Sequence, residues 1–197
     1  MQPATRAAGS GREQRPQDAA RSDQRAGTAP YPTARELELY LHTAIPLSLA
    51  MQVSVLAADA MQVALQAPLA PNVNHRGTVF GGSAYTLATL AAWSLLHCRL
   101  KACGAPASVV LQSASMRYQR PIAGAFAARA ELASTAQWPL FLRTLARRGR
   151  ARITLCAQVS SDEGHAARFE GEFVALADGA AGTDAGGDAG GDPGPMG

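Results

Sequence analysis

The segment PNVNHRGTVFGGS, residues 71–83, brings together side chains and glycines suited to holding a reactive carbonyl. Gly77, Gly81 and Gly82 have no Cβ, so backbone there can approach a ligand closely. Gly81 and Gly82 also stand where an apolar helix begins, and the first amides of a helix have no partner within it. A carbonyl oxygen placed at that end meets N–H donors and the positive end of the helix dipole, which is what an oxyanion formed in acyl transfer requires. The plainer role of these glycines is tight packing of helix on sheet; the ligand-binding role is favoured over it. His75 carries an imidazole and borders the loop, making it the candidate general base, with a solvated or capping side chain as the alternative. Asn74 carries an amide able to orient a carbonyl or a water, or else to bond local backbone.

Other polar residues are weaker candidates. Ser83 fits a helix start, and no Asp–His pair at usable spacing marks it as a nucleophile. His97 reads as a core or interface residue. Ser113, Ser115 and Arg117 recur at every second position of one strand and so share a face. Arg143, Arg147, Arg148, Arg150 and Arg152 form a basic cluster suited to phosphates or an acidic protein surface, a solvated face being the default. The three cysteines, Cys98, Cys103 and Cys156, are odd in number and match no metal-binding spacing, so they read as reduced thiols of a cytoplasmic protein; no metal site and no cofactor is expected.

The elements that must position these residues follow from periodicity. Thr33-Ala-Arg-Glu36 is a capping box, and Leu37, Tyr40, Leu41 and Ile45 give the helix after it an apolar stripe that Pro46 ends. Met51, Val53 and Val55, then Met61, Val63 and Leu65, alternate with polar residues on either side of a turn at Asp59-Ala60, predicting an antiparallel hairpin. Residues 82–101 are apolar on nearly every side, as in a helix enclosed by protein. The period returns to two over 107–119, 125–135, 150–160 and 166–176, with a turn at Asp162-Glu163-Gly164. Trp138, Phe141, Leu142 and Leu145 predict a short helix within 137–148. One buried helix with long antiparallel strands describes an α+β layer in which a curled sheet wraps the helix.

Composition sets the limits. Residues 1–32 and 178–197 lack core-forming patterns and read as a disordered N-terminal segment and a disordered Gly/Ala/Asp tail, leaving one domain over 33–177. The hydrophobic fraction of 47% and mean hydropathy of -0.04 fit a globular chain. No run reaches the roughly 18 apolar residues of a membrane span, and the first residues lack the apolar stretch of a secretory signal. Of the net charge of +3, the stretch 34–177 carries thirteen basic and eight acidic side chains. That excess suits an anionic ligand, and no nucleic-acid fingerprint with interleaved aromatics accompanies it.

With IPL at 45–47, MRYQRPI at 116–122 and GRARI at 149–153, the 71–83 segment resembles the hotdog-fold thioesterases. It is most similar to the thioesterase domain also found behind an acetyltransferase domain in some bacterial proteins. The resemblance runs from about Leu37 to Leu176 and is specific in the combination of 74–83 with Arg120-Pro121. It implies a curled antiparallel sheet around a central helix, a homodimer or larger homo-oligomer with sites between subunits, and an acyl-CoA or acyl-carrier-protein substrate in fatty-acid metabolism. The candidate substrate position is lined by Gly77, Phe80, Gly81, Ser83 and Arg120, with Ser113 and Ser115 approaching a neighbour's site as the resemblance implies, and the candidate catalytic residues are Asn74, His75, Gly82 and Thr89.

Two positions depart from a common branch of the family. Phe80 stands in place of a His, and Thr89 in place of the helix Asp or Glu that activates water. No Asp or Glu occurs between Asp59 and Glu131. His75 is then the candidate base, while Thr89 either positions a water or bonds a preceding helix carbonyl. The leading expectation is a thioester hydrolase acting on a fatty-acyl-type substrate. The alternative is a non-catalytic module that binds acyl thioesters as a sensor, which the acid-free helix favours.

Overall fold

The computed structural model describes residues 30–132 and 136–178. The expected disordered termini lie outside these residues, except for 30–32 and 178. The chain first forms helix α1, Ala34–Ala44, whose start is the expected capping box: the Glu36 amide donates to the Thr33 hydroxyl at 3.2 Å and the Thr33 amide to the Glu36 carboxylate at 2.7 Å. Leu37 and Leu41, one turn apart, are its buried face. Pro46 ends α1 as expected, and then opens a second helix, α2, Pro46–Ala50, because a proline needs no amide partner at the first helical position.

The hairpin begins later than the alternation predicts. The amides of Met51, Gln52 and Val53 turn back onto the carbonyls of Leu47, Leu49 and Ser48, all at 2.9 Å, with Gln52 at φ 56°. Strand β1 therefore spans only Ser54–Ala58. Strand β2, Gln62–Ala67, follows a turn in which the Asp59 carboxylate accepts from the amides of Met61 and Gln62 at 2.8 and 2.9 Å. Met61 thus belongs to the turn and is 49% exposed, whereas Val63 and Leu65 enter the core.

Helix α3, Gly81–Ala102, carries the core residues Leu87, Leu95, Leu96 and Leu100, each no more than 1% exposed. Strands β3 (Ala107–Tyr118), β4 (Phe126–Glu131), β5 (Arg150–Ser161) and β6 (Gly164–Ala177) complete one six-stranded antiparallel sheet in the order β1-β2-β4-β5-β6-β3. The sheet curls over α3, which packs against β2, β3, β4, β5 and β6. This is the α+β arrangement expected of the sequence.

β4 pairs with only the second half of β5, from Cys156 to Ser160. Helix α4, Gln137–Arg148, packs against β5 and ends at Gly149, whose left-handed φ of 66° lets its amide reach the Leu145 carbonyl at 2.9 Å. The guanidinium of Arg99, near the end of α3, lies 4.3 Å from the centre of the Trp138 ring. Among the described residues no helix is long and apolar enough to cross a membrane.

β3 holds one irregularity that decides where its side chains point. Its register with β6 skips Gln112, so Leu111 faces Phe173 while Ser113 faces Glu172. Such a bulge reverses the alternation. Val109 and Leu111 point to α3 before it, and Ala114 and Met116 after it, as their packing against the core records.

The α3 to sheet contact sets stability. Phe169 is 0% exposed and meets Tyr85 of α3 edge to face with ring centres 5.5 Å apart. Phe169→Ala is expected to lower unfolding free energy by about 3–5 kcal/mol, and Thr33→Ala by about 1 kcal/mol through loss of the cap. Urea titrations of both variants measure this, and equal midpoints would contradict the ranking.

Candidate active site

The loop between β2 and α3 is built from asparagine side chains. Asn72 closes a single 3-10 turn, Ala70–Asn72, and is 1% exposed. Its side-chain amide donates to the carbonyls of Met51 and Pro68 at 3.0 and 2.8 Å, while its backbone carbonyl accepts from the Phe80 amide at 2.7 Å. Both ends of the loop are thereby tied to one buried residue. Asn74 fills the interior: its side-chain nitrogen donates to the Thr78 hydroxyl at 3.0 Å and the Val79 carbonyl at 3.2 Å, and its side-chain oxygen accepts from the amides of Arg76 and Thr78 at 2.8 and 3.3 Å. Two donors and two acceptors exhaust what an Asn side chain offers. Gly77, at φ 76°, makes the return possible and donates to the Asn74 carbonyl at 3.1 Å.

The loop delivers the chain to α3 with an open start. Phe80 is the N-cap residue and supplies no side-chain cap. Ala84 is the first residue whose amide finds a carbonyl of this turn, that of Phe80 at 3.1 Å. The amides of Gly81, Gly82 and Ser83 precede it and have no acceptor within the helix. The Phe80 ring lies over Gly82 so closely that a Cβ there would sit 2.3 Å from a ring carbon. A side chain at position 82 would force the exposed Phe80 ring to shift. Phe80, where a His was considered, contributes an apolar wall that is 56% exposed.

The two segments of the sequence pattern meet here. The Val79 amide donates to the Ile122 carbonyl at 2.8 Å, joining the loop to the stretch that follows β3. Between them lies a cleft of about 360 Å³ lined by Asn74, Thr78, Tyr118, Gln119 and Arg120. Arg120 is half-buried, and its guanidinium donates to the Glu163 carbonyl in the β5–β6 turn. Tyr118 and Asn72 were not singled out from sequence. Tyr118 donates from its hydroxyl to the Gly81 carbonyl at 2.8 Å. The sequence signals were present, a Tyr in 116–122 and a second Asn in 71–83, but nothing in the chain order joins positions 81 and 118.

Not all expected residues gather at this cleft. His75 is exposed at the loop tip, and Ser83 is half-buried in the first turn of α3. Thr89 donates its hydroxyl to the Tyr85 carbonyl at 2.9 Å, the helix-bonding role foreseen as its alternative. It follows Gly82 by seven residues, about 10 Å along the axis, too far for one water to touch both in a single chain. The bulge at Gln112 turns Ser113 and Ser115 outward, opposite Glu172 and Glu170, on the sheet face away from α3. Within one chain they do not reach the cleft.

His97 stacks against Tyr40 and Trp93, with ring centres 5.1 and 4.7 Å away, and burial followed by the charge of Lys101 pushes its pKa down. The neighbouring Cys98 thiol is buried and pushed up to about 11, which leaves it a poor nucleophile. Of the arginine cluster, Arg150 is nine residues along β5 from Val159, the position in register with Ala167 and Tyr118. That is about 30 Å from the cleft end of the sheet.

Comparison with known proteins accounts for this arrangement. Residues 34–177 match the family described as "Putative thioesterase (yiiD_Cterm)". Among solved structures, a "putative thioesterase" from Shewanella oneidensis is 30% identical, with a TM-score of 0.64 over 73% of this chain and 96% of that one. A protein of unknown function from Chlorobaculum tepidum is 25% identical, with a TM-score of 0.70 over 74% and 94%. A "Probable Thioesterase" from Pseudomonas aeruginosa, 23% identical, shares the fold with a TM-score of 0.66 over 77% and 99%. Sheet, enclosed helix and matched family agree: over residues 34–177 the chain belongs to this hotdog-fold thioesterase family.

Proposed function

We propose that this protein hydrolyses fatty-acyl-type thioesters of coenzyme A or of acyl-carrier protein. The observation that carries the reading is the uncapped first turn of α3, where Gly81 and Gly82 have free amides and the Gly81 carbonyl is held by Tyr118, a residue lining the cleft, in a member of a thioesterase family. The thioester carbonyl accepts from the Gly82-region amides, which face the negative charge that develops when water attacks. The amides are fixed before the substrate arrives and need no reorganisation. Asn74 serves by holding the loop, since its amide is already fully bonded. Its replacement by Ala removes four hydrogen bonds of the loop.

The attacking water has two candidate partners. His75 acts as base from the exposed loop tip, or Thr89 accepts a hydrogen bond from the water through the lone pair that its contact with Tyr85 leaves free. Because Thr89 lies about 10 Å along the axis from Gly82 in one chain, a role for Thr89 requires a carbonyl held by a second copy, and the proposal therefore includes a homodimeric site. β3 offers an unpaired edge for that association. The second reading, a binding module without turnover, has one specific support: α3 carries no Asp or Glu.

A panel of acyl-CoA esters, with thiol release and binding measured side by side, tests the reading. Hydrolysis of medium or long chains is the expected result, and binding without release anywhere in the panel transfers the assignment to the sensor. His75→Gln is expected to lower kcat by roughly 100-fold or more if His75 is the base. Thr89→Ala is expected to cost less. Thr89→Asp tests the position itself: a new ionisation governing kcat in the pH profile supports it, and an unchanged profile in a folded variant counts against it.

Gly82→Ala is expected to suppress turnover by driving the Phe80 ring aside. Combining it with Phe80→Ala, which removes the colliding ring, should restore part of the rate in the same assay.

A further inference from the structure

Tyr118 ends β3, and after the bulge at Gln112 its side chain falls on the α3 side of the sheet. Its hydroxyl donates to the Gly81 carbonyl at 2.8 Å, and its ring lies 3.4 Å from where a Cβ on Gly81 would stand. That carbonyl and the Gly82 amide belong to one planar peptide unit, so whatever fixes the carbonyl fixes the direction of the N–H. A hydrogen bond to the oxygen also draws electron density from the nitrogen and strengthens its N–H as a donor, by about 10–30%. Within the helix that carbonyl also faces the Tyr85 amide four residues on, and the Tyr118 hydroxyl is a second donor to it. Two consecutive glycines form the first turn, and glycine leaves backbone direction loosely determined. No side chain caps this end. Burial raises the Tyr118 pKa, with Tyr85 adding to the effect, so the phenol stays protonated and remains a donor at neutral pH.

We propose that Tyr118 is a positioning residue that orients and polarises the Gly81–Gly82 peptide, setting the Gly82 amide as the carbonyl-binding donor. The assignment rests on the thioester-binding reading of the cleft. It also gives the Gln112 bulge a role: an unbulged β3 would point Tyr118 away from α3 and bring Ser113 and Ser115 inward.

The test is Tyr118→Phe, which keeps the ring and removes the hydroxyl, examined in the full chain by three measurements. In the ¹⁵N–¹H spectrum the Gly82 amide is expected to move upfield by more than those of Ala84 and Leu87. With a bound acyl-CoA ketone analogue, ¹³C-labelled at the carbonyl, the carbonyl infrared stretch is expected to shift to higher frequency as it loses polarisation. Against the acyl-CoA ester that the wild type hydrolyses, kcat is expected to fall roughly 10-fold with KM within twofold, less than the loss of a whole oxyanion donor. An unmoved Gly82 amide, or an unshifted stretch, in the folded variant overturns the proposal even if the wild type is an active hydrolase. A wild type that binds the analogue and hydrolyses nothing removes the hydrolase reading, while the amide and carbonyl signals still decide the role of Tyr118. Should the Phe variant fold poorly, 3-fluorotyrosine at position 118 is a stronger donor and is expected to move the Gly82 amide downfield; no movement counts against the proposal.

Discussion

α3 has almost no polar side to give to water, and the rest of the molecule follows from that constraint. Leu87, Leu95, Leu96 and Leu100 point in different directions around the helix and are all buried. An amphipathic helix can rest on a flat sheet, but this one needs apolar partners around much of its circumference. The curled antiparallel sheet supplies them through Phe126, Phe169 and Phe173. Enclosing the body of a helix leaves its ends as the places where unpaired backbone can still meet solvent or ligand. At the C-terminal end, Cys103 and Gly104 return their amides to the carbonyls of Arg99 and Lys101 at 3.0 and 3.1 Å. At the N-terminal end no comparable closure exists, and the loop from Asn72 to Phe80 brings that open end to the surface.

In the proposed reaction the loop acts through backbone, which explains why its side chains look so little like catalytic groups. Asn72 and Asn74 make six side-chain donor or acceptor contacts between them, and every one is internal. Their effect is to hold Phe80, Gly81 and Gly82 at a fixed exit angle. Tyr118 and the Ile122 carbonyl fasten the same region to β3 and the stretch beyond it. Rigidity here matters more than charge, because an amide donor stabilises developing charge in proportion to how little it must move.

Much of the fold could be read from the chain because each element announces itself within its own length. The capping box at Thr33, the Asp59 turn, the apolar 82–101 run and the helical spacing in 137–148 are local patterns, and each element stands within one or two residues of its expected place. The errors arose where a local pattern was overruled by its surroundings. Met51 and Val53 alternate like strand residues, yet the backbone before β1 satisfies its amides by folding back on α2. Ser113, Ser115 and Arg117 do share a face, as the period of two predicts, but which face it is depends on one skipped residue at Gln112, and no residue type at that position advertises a bulge. The glycines and asparagines of the site were legible as types. Their division into scaffold and ligand-facing groups was not, since a saturated Asn and a free one are the same letter.

The missing carboxylate has two opposite consequences. Between Asp59 and Glu131 every formal charge is positive, so nothing acidic on the loop or α3 competes with a ligand for the open amides. A carboxylate near that turn would be drawn to the same positive helix end and would partly neutralise it. Its absence leaves the full field to an anionic ligand or to an oxyanion, which favours holding the thioester carbonyl firmly. The same absence removes the group that, in a common branch of the resembled family, readies water for attack. In the proposed reaction holding and turnover therefore depend on different parts of the site, the first on α3 and its anchored loop, the second on whether His75 or a water at Thr89 can reach a carbonyl already in place.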